Sequence, residues 1–166
     1  MPEKKTVERA REDAREGKAP STQAGEFVRE EMEHIRQGEH GARSTKQAIA
    51  IGLSKARRAG VKLAPPEKGK AKDTTRAQAA RNVAQGQNSP GRKVSPTRSR
   101  AVTKALKREG KEAASHSALS RQAHASARKR SSADRRLAAQ KAVRTKGKAG
   151  LQRAARKAAR TRARTQ

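Results

Sequence analysis

The sequence has no cysteine, tryptophan or tyrosine, and Phe27 is its single phenylalanine. Without cysteine, the chain forms neither disulfides nor thiolate metal sites. Without other aromatic residues, it lacks the platforms on which single-strand binders and sheet-based RNA modules stack bases. Affinity for a nucleic acid would therefore have to come mainly from contacts to phosphates.

Long apolar segments are also missing from the sequence. The longest apolar run covers residues 48–53, far short of the ~20 residues that cross a bilayer. The first residues are charged and do not resemble a signal peptide. These features predict a cytoplasmic, nucleoid-associated protein with no membrane partner.

Large apolar side chains are scarce, because only 19 of the 166 residues are Val, Ile, Leu, Met or Phe, whereas 33 are Ala. This content, together with a formal net charge of +28, is typical of disordered chains and excludes one continuous globular core. Nine of the 19 lie within residues 27–63. We therefore expect packing in that stretch.

Charge divides the chain into an acidic head and a basic body. Residues 1–41 hold 8 basic and 10 acidic side chains, whereas residues 42–166 hold 35 basic and 5 acidic ones. Like charge of this density opposes compaction unless a polyanion neutralises it, so the predicted partner is nucleic acid, with DNA favoured over RNA. We also hypothesise that the acidic head masks part of the basic body in the free protein.

Two amphipathic segments predict a helical hairpin within residues 20–63. In residues 23–37, apolar side chains recur at i, i+4 and i+7, and in residues 45–59 small side chains recur every four positions, which lets a second helix approach closely. So small a core is marginal alone, and a homodimer or a protein partner could complete it. The residues expected to pack the hairpin are Phe27, Val28, Met32, Ile35, Ile49, Gly52, Leu53 and Ala56.

The predicted organisation has four segments. Residues 1–19 form a charged helix with little to bury, residues 20–63 the hairpin, residues 64–95 a linker with a weak helix near 75–85, and residues 96–166 a basic arm. The arm contains helix-compatible stretches whose apolar content is almost all Ala. The predicted fold class is therefore all-α, a small helical hairpin followed by a largely disordered or conditionally helical Ala/Lys/Arg-rich arm.

The last helix-compatible stretch carries its cations at helical spacing. Arg153, Arg156, Lys157 and Arg160 stand at i, i+3, i+4 and i+7, and Arg164 continues the row. One helical face would thus carry a cationic stripe that phosphates could neutralise. An ordinary solvated tail is the alternative interpretation.

Ser-Pro steps stand at residues 89–90 and 95–96, near the start of the basic arm, and basic residues follow each of them. Such a turn can project Arg or Lys into a narrow minor groove, but Pro96 could equally start a helix at its first position. The predicted nucleic-acid contacts are basic residues of the linker and the arm: Arg92, Lys93, Arg98, Arg128, Lys129, Arg130, Arg135, Arg136, Lys141, Arg144, Arg153, Arg156, Lys157, Arg160, Arg162 and Arg164.

No enzyme chemistry is predicted, and neither a metal nor a cofactor is expected. His34 and His40 lie near several glutamates, but they are six residues apart across a helix end, which is not the i, i+4 spacing of a helical metal-binding pair. We interpret them as solvated polar residues at a helix terminus. His116 and His124 have no acidic partner nearby in the sequence, so no catalytic triad can be assembled.

The segments STQAGEFV at residues 21–28 and RSTKQAIAIGLSKARRAG at residues 43–60 resemble a family of small basic bacterial proteins of unknown function. This resemblance covers residues 20–66 and implies a bacterial source, but no activity. The C-terminal third is similar in composition to the Ala/Lys/Arg-rich tails of linker histones and bacterial histone-like proteins.

The predicted function is sequence-nonspecific DNA binding by a histone-like, nucleoid-associated protein. One alternative is an RNA- or ribosome-associated basic protein. Another is a protein-interaction module, in which the hairpin docks on a partner through Phe27, Met32, Ile35 and Leu53 while the basic tail localises it.

Overall fold

A computed structural model describes residues 2–88 and 95–164. Within these ranges the protein is all-α, as predicted, and the only extended pairing is an isolated bridge between Lys68 and Ala71. The helices are α1 (Lys4–Arg15), α2 (Pro20–Gln37), α3 (Thr45–Arg58), α4 (Asp73–Asn88), α5 (Pro96–Leu106), α6 (His116–Arg128) and α7 (Ser132–Ala163), and a 3-10 turn spans Glu112–Ala114.

The chain divides into two compact units, which we call the N-terminal unit (residues 1–122) and the C-terminal unit (residues 123–166). The first contains α1 to α5 and the 3-10 turn, and the second contains α7. In the described ranges no helix has both the length and the apolar content that crossing a bilayer requires.

Local signals in the sequence set the ends of α2 and α3. Pro20 occupies the first turn of α2, where a backbone N–H would have no partner within the helix, so its absence loses no hydrogen bond. The helix starts at Pro20, three residues before the predicted start at residue 23. Gly38 ends α2 in the left-handed conformation with φ 85°. The Ser44 side chain caps α3 by accepting a hydrogen bond from the backbone N–H of Gln47 at 3.3 Å.

The two helices pack closely because small side chains lie at their contact. Gly52 of α3 faces α2 at a point where a Cβ atom would lie 2.7 Å from Val28 Cα, well inside contact distance. The Thr45 hydroxyl then donates a 2.7 Å hydrogen bond to the carbonyl of Ala113, which joins the start of α3 to the 3-10 turn. The hairpin is thus part of a larger assembly.

The prediction of a hairpin that stands alone is wrong, because the structure is a multi-helix bundle. Helix α1 packs against α2, α4 packs against α3, and the 3-10 turn packs against both hairpin helices. Ala10 of α1 is buried, so the expectation that the first helix buries little is also corrected. Close backbone approach explains these contacts: at Gly86 of α4 a Cβ atom would lie only 1.9 Å from the carbonyl oxygen of Arg57.

Two small hydrophobic clusters form the core of the N-terminal unit. The first consists of Met32, Ile35, Ala42, Ala48, Ala113 and Ala114, with Val28, Ile49 and Leu119 packed against it. The second consists of Ala10, Ala24, Phe27 and Ala56, with Val7, Leu53, Ala59, Val61 and Leu63 against it. Seven of the expected hairpin-packing residues therefore lie in or against these clusters, and Gly52 is buried at the α2–α3 contact.

The basic arm is described as helices rather than as a disordered chain. Helix α7 begins with a capping box formed by Ser131 and Asp134, and it is interrupted at Gly147, where φ is 64° and ψ is 170°. None of its residues is buried. The high intrinsic helicity of alanine, rather than packing, accounts for this helix.

Candidate nucleic-acid interface

The C-terminal unit concentrates positive charge. Residues 123–166 contain 15 Lys and Arg side chains against one acidic residue, Asp134. The Asp134 carboxylate accepts a 3.3 Å hydrogen bond from the backbone N–H of Ser131 and so serves the start of α7. Nearly every residue from 123 to 164 is exposed, which leaves these cations accessible to a ligand.

The second half of α7 aligns five cations. At about 100° per residue, the positions of Arg153, Arg156, Lys157, Arg160 and Arg164 fall within an arc of about 100° around the helix axis. All five side chains are exposed. At about 1.5 Å per residue, the row is about 16 Å long. We call this set of five residues the cationic stripe.

The first half of α7 does not present such a face. Arg135, Arg136, Lys141 and Arg144 are exposed, but at the same helical spacing their positions are spread around the axis. The interruption at Gly147 separates them from the cationic stripe. Of the predicted contacts in α7, the structure therefore brings together only those of the second half, and Arg162 lies on the opposite side of that segment.

The remaining predicted contacts lie elsewhere. Arg128 is the last residue of α6, and Lys129 and Arg130 follow it as an exposed basic turn. Arg98 is exposed on α5, while Arg92 and Lys93 lie outside the described residues. The Arg130 carbonyl accepts a 3.1 Å hydrogen bond from Nη1 of Arg135 in the first turn of α7. This bond fixes the end of the basic turn.

A second basic face, absent from the predicted contacts, lies on α5 and the turn after it. Its signal in the sequence is a set of four cations at i, i+4, i+7 and i+8, positions that share one side of a helix. These cations are Arg100, Lys104, Lys107 and Arg108. Arg98, a predicted contact, lies outside this face, about 130° around the axis from its centre. The face forms a shallow groove lined by Ser99, Arg100, Thr103, Lys104, Lys107 and Arg108.

This groove is chemically suited to a phosphate. Guanidinium and ammonium groups donate charge-assisted hydrogen bonds to phosphate oxygens, and the hydroxyls of Ser99 and Thr103 add neutral donors. No residue of α5 is buried, so the side chains of this face are not used to hold the bundle together.

Comparison with protein families gives a match over the α2–α3 segment. A family of unknown function (DUF6496) matches residues 19–68, which covers α2, α3 and their flanks but less than a third of the chain. This agrees with the resemblance of residues 20–66 to an uncharacterised family, and it does not extend to α5 or α7. No curated protein and no solved structure matches the chain.

Proposed function

We propose that the protein binds duplex DNA without sequence specificity, as a histone-like, nucleoid-associated protein, and that α7 contacts the phosphates. The observation that carries this proposal is the cationic stripe, an exposed row of five cations in a unit with 15 basic side chains and one acidic one. Such a row neutralises phosphates and releases the counterions condensed on them. The scarcity of aromatic residues favours phosphate contacts over base stacking.

The helix of the arm is proposed to be conditional on its ligand. Cations at i, i+3 and i+4 repel one another, and each such pair destabilises an isolated helix by roughly 0.2–0.5 kcal/mol. No residue of α7 is buried, so tertiary packing does not offset this repulsion. Phosphates lying along the cationic stripe would remove this repulsion. We therefore expect the arm to gain helicity when it binds DNA.

The salt dependence of binding tests the phosphate mechanism. If about ten cations contact phosphates at once, the logarithm of the affinity should fall with the logarithm of the salt concentration with a slope of about −9. The measurement is fluorescence anisotropy of a labelled 20-base-pair duplex titrated with the full chain at several salt concentrations. A slope no steeper than about −2 would contradict the proposal.

Substitution of the cationic stripe tests which face of α7 binds. The triple variant Arg153→Ala, Arg156→Ala, Arg160→Ala removes three predicted phosphate contacts, so the salt slope should become shallower by about 2.7. Affinity at low salt should fall accordingly. Because alanine is the best helix former, the loss cannot be assigned to a broken helix.

A control with the same change in net charge separates the stripe from bulk charge. The variant Arg135→Ala, Lys141→Ala, Arg144→Ala removes three cations that do not lie together on one face of the helix. It should reduce the slope and the affinity less than the stripe variant does. Equal losses in the two variants would mean that total charge alone governs binding, and the stripe would have no special role.

The RNA-binding alternative is decided by competition in the same assay. If DNA is the preferred partner, structured RNA should displace the labelled duplex less effectively than unlabelled DNA of equal length does. The protein-interaction alternative has less support, because Phe27 and Ile35, on which such docking would rely, are fully buried within the chain.

A further inference from the structure

The end of α2 holds a cluster of polar side chains that the proposed DNA-binding surface does not use. Glu31 and His34 lie one turn apart on α2, and the left-handed turn at Gly38 brings His40 back beside them. One carboxylate oxygen of Glu31 and one ring nitrogen of each histidine lie within 4.8 Å of one another. The sequence-based interpretation of His34 and His40 as solvated residues at a helix terminus is wrong, since His34 is buried and His40 is half-buried.

Glu31 is the least satisfied member of this cluster. Its residue is 0% exposed, and neither carboxylate oxygen has a hydrogen-bond partner. Lys55 Nζ lies 2.6 Å from Oε2, which is an ion pair by distance, although its direction of approach is not that of a hydrogen bond. A buried carboxylate in this state is costly unless a further positive group stabilises it.

His40 faces the other oxygen of this carboxylate in an orientation typical of a metal ligand. Its Nδ1 atom lies 3.1 Å from the Gly41 carbonyl, which can only accept, so this nitrogen carries the proton. In the neutral ring Nε2 then has a free lone pair, and it lies 3.4 Å from Glu31 Oε1. With the ring in this neutral form, two acceptors would face each other with no hydrogen between them, and a cation placed between them would bind both.

The distance between these two atoms fits a zinc ion. Two ligand atoms at about 2.0–2.1 Å from a tetrahedral centre lie about 3.4 Å apart. The Nε2 atom of His40 and the Oε1 atom of Glu31 already have this separation. The third member of the cluster, His34, offers a ring nitrogen within 4.8 Å of the other two ligand atoms.

The local charge also favours a divalent cation. The carboxylates of Glu3 and Glu39 lie 3.1 and 3.7 Å from the two ring nitrogens of His34. The carboxylate of Glu30 lies 3.8 Å from Lys55 Nζ. With neutral imidazoles, these three and the buried carboxylate give four negative charges against one ammonium, in a chain whose net charge is +28. The cluster is therefore a local anionic site in a cationic protein.

We propose that Glu31, His34 and His40 bind one divalent transition-metal ion, with zinc favoured by the ligand set of two imidazoles and one carboxylate. Water or an exposed carboxylate completes the tetrahedron. The ion would tie the end of α2 to the loop at residues 38–43. This loop also donates hydrogen bonds from Gly41 N to the Leu106 carbonyl and from Ala42 N to the Gly110 carbonyl, so the site would stabilise the junction between the hairpin and the segment before the 3-10 turn.

The test is a titration of the metal-free full chain with Zn²⁺, measured by isothermal titration calorimetry. We expect one ion per chain and a higher melting temperature in the presence of the ion. The double variant His34→Ala, His40→Ala should bind at least 100-fold more weakly. The matched control is His116→Ala, His124→Ala, which removes two exposed histidines and should bind as the unchanged chain does.

Further measurements keep the test decisive if the first double variant fails to fold. Glu31→Gln preserves the size of the side chain and should weaken zinc binding at least tenfold. In the unchanged protein, Zn²⁺ should shift the imidazole NMR signals of two histidines only, and these signals should persist in the His116→Ala, His124→Ala variant. The absence of stoichiometric binding, or a shift of signals that belong to His116 and His124, would overturn the proposal.

Discussion

At the scale of single residues, glycine and alanine determine how closely the helices of the N-terminal unit approach. Gly52 meets the backbone of α2 at Val28, and Gly86 of α4 meets the carbonyl of Arg57. A hydrophobicity scale gives these residues little weight, although each marks a contact between helices. This is why sequence analysis found the spacing in α3 but overlooked the contacts of α1 and α4.

The substitution Gly52→Ala should destabilise the N-terminal unit. The added Cβ atom would lie 2.7 Å from Val28 Cα and 3.0 Å from the Phe27 carbonyl oxygen, so α2 and α3 must move apart. Overpacking of this kind costs about 1–3 kcal/mol in the free energy of unfolding. Urea unfolding followed by circular dichroism measures the change.

The matched control is Gly25→Ala on α2, where an added Cβ atom has no neighbour within 4 Å. This change should stabilise the protein by up to about 1 kcal/mol, because alanine has the higher helix propensity. If both variants were stabilised equally, the close packing of α2 on α3 would be refuted.

At the scale of elements, the sequence predicts well what neighbouring residues determine. Gly38 and the Ser44 cap act within one turn, and they place the α2–α3 loop as expected. The partners of each helix depend instead on distant contacts between small side chains, such as Ala10 on α1 and Ala113 in the 3-10 turn. Binary patterning carries little information about such contacts.

The two candidate sites illustrate the same difference. The cationic stripe was predicted because its residues lie on one helix, where spacing alone fixes the face. The cluster of Glu31, His34 and His40 was misinterpreted because His40 lies beyond the helix end. Its position depends on the chain reversal at Gly38, and helical spacing does not apply across that turn.

The substitution Gly147→Ala should join the two halves of α7. The φ of 64° is unfavourable for alanine, and an added Cβ atom at this position meets nothing within 4 Å, so no contact holds the interruption in place. Helix formation is cooperative with length, and the ellipticity at 222 nm should become more negative. Circular dichroism of the full chain measures this.

Gly150→Ala provides the comparison for that variant, since Gly150 is already helical and its added Cβ atom would require only a small shift of Lys146, whose Cβ atom lies 3.2 Å away. The gain in helicity should be larger at position 147 than at position 150. An equal gain, or a gain only at position 150, would show that the interruption at Gly147 does not divide the helix.

At the scale of the whole molecule, the hypothesis that the acidic head masks the basic arm cannot be tested by deleting the head. The acidic head contains α1 and α2, whose residues form much of the core, so deleting residues 1–41 would remove half of the bundle. Some acidic side chains are engaged within the N-terminal unit, as in the pair of Asp13 Oδ1 with Lys18 Nζ at 2.6 Å. The masking hypothesis therefore rests on the exposed carboxylates of the acidic head.

The triple variant Glu8→Gln, Glu12→Gln, Glu33→Gln tests this masking without removing the core, because all three residues are exposed. If the head shields the arm, this variant should bind duplex DNA several-fold more tightly at low salt. The effect should vanish at high salt, where exposed charges are screened. Anisotropy titrations at two salt concentrations measure it.

The control variant has the same net charge but leaves the head intact: Glu67→Gln, Asp73→Asn, Glu112→Gln. It should tighten binding less than the head variant does. If both variants gain affinity equally, only the total charge matters, and the masking hypothesis fails.

The alanine content of the two core clusters has a thermodynamic consequence. Unfolding raises the heat capacity mainly through newly exposed apolar surface, and each alanine contributes little of it. Seven of the ten buried residues in the two clusters are alanines: Ala10, Ala24, Ala42, Ala48, Ala56, Ala113 and Ala114. Calorimetry should therefore give a heat-capacity increment below the usual ~12–15 cal/mol/K per residue. The stability of the bundle should then vary only gently with temperature, over a broad range and without a sharp optimum.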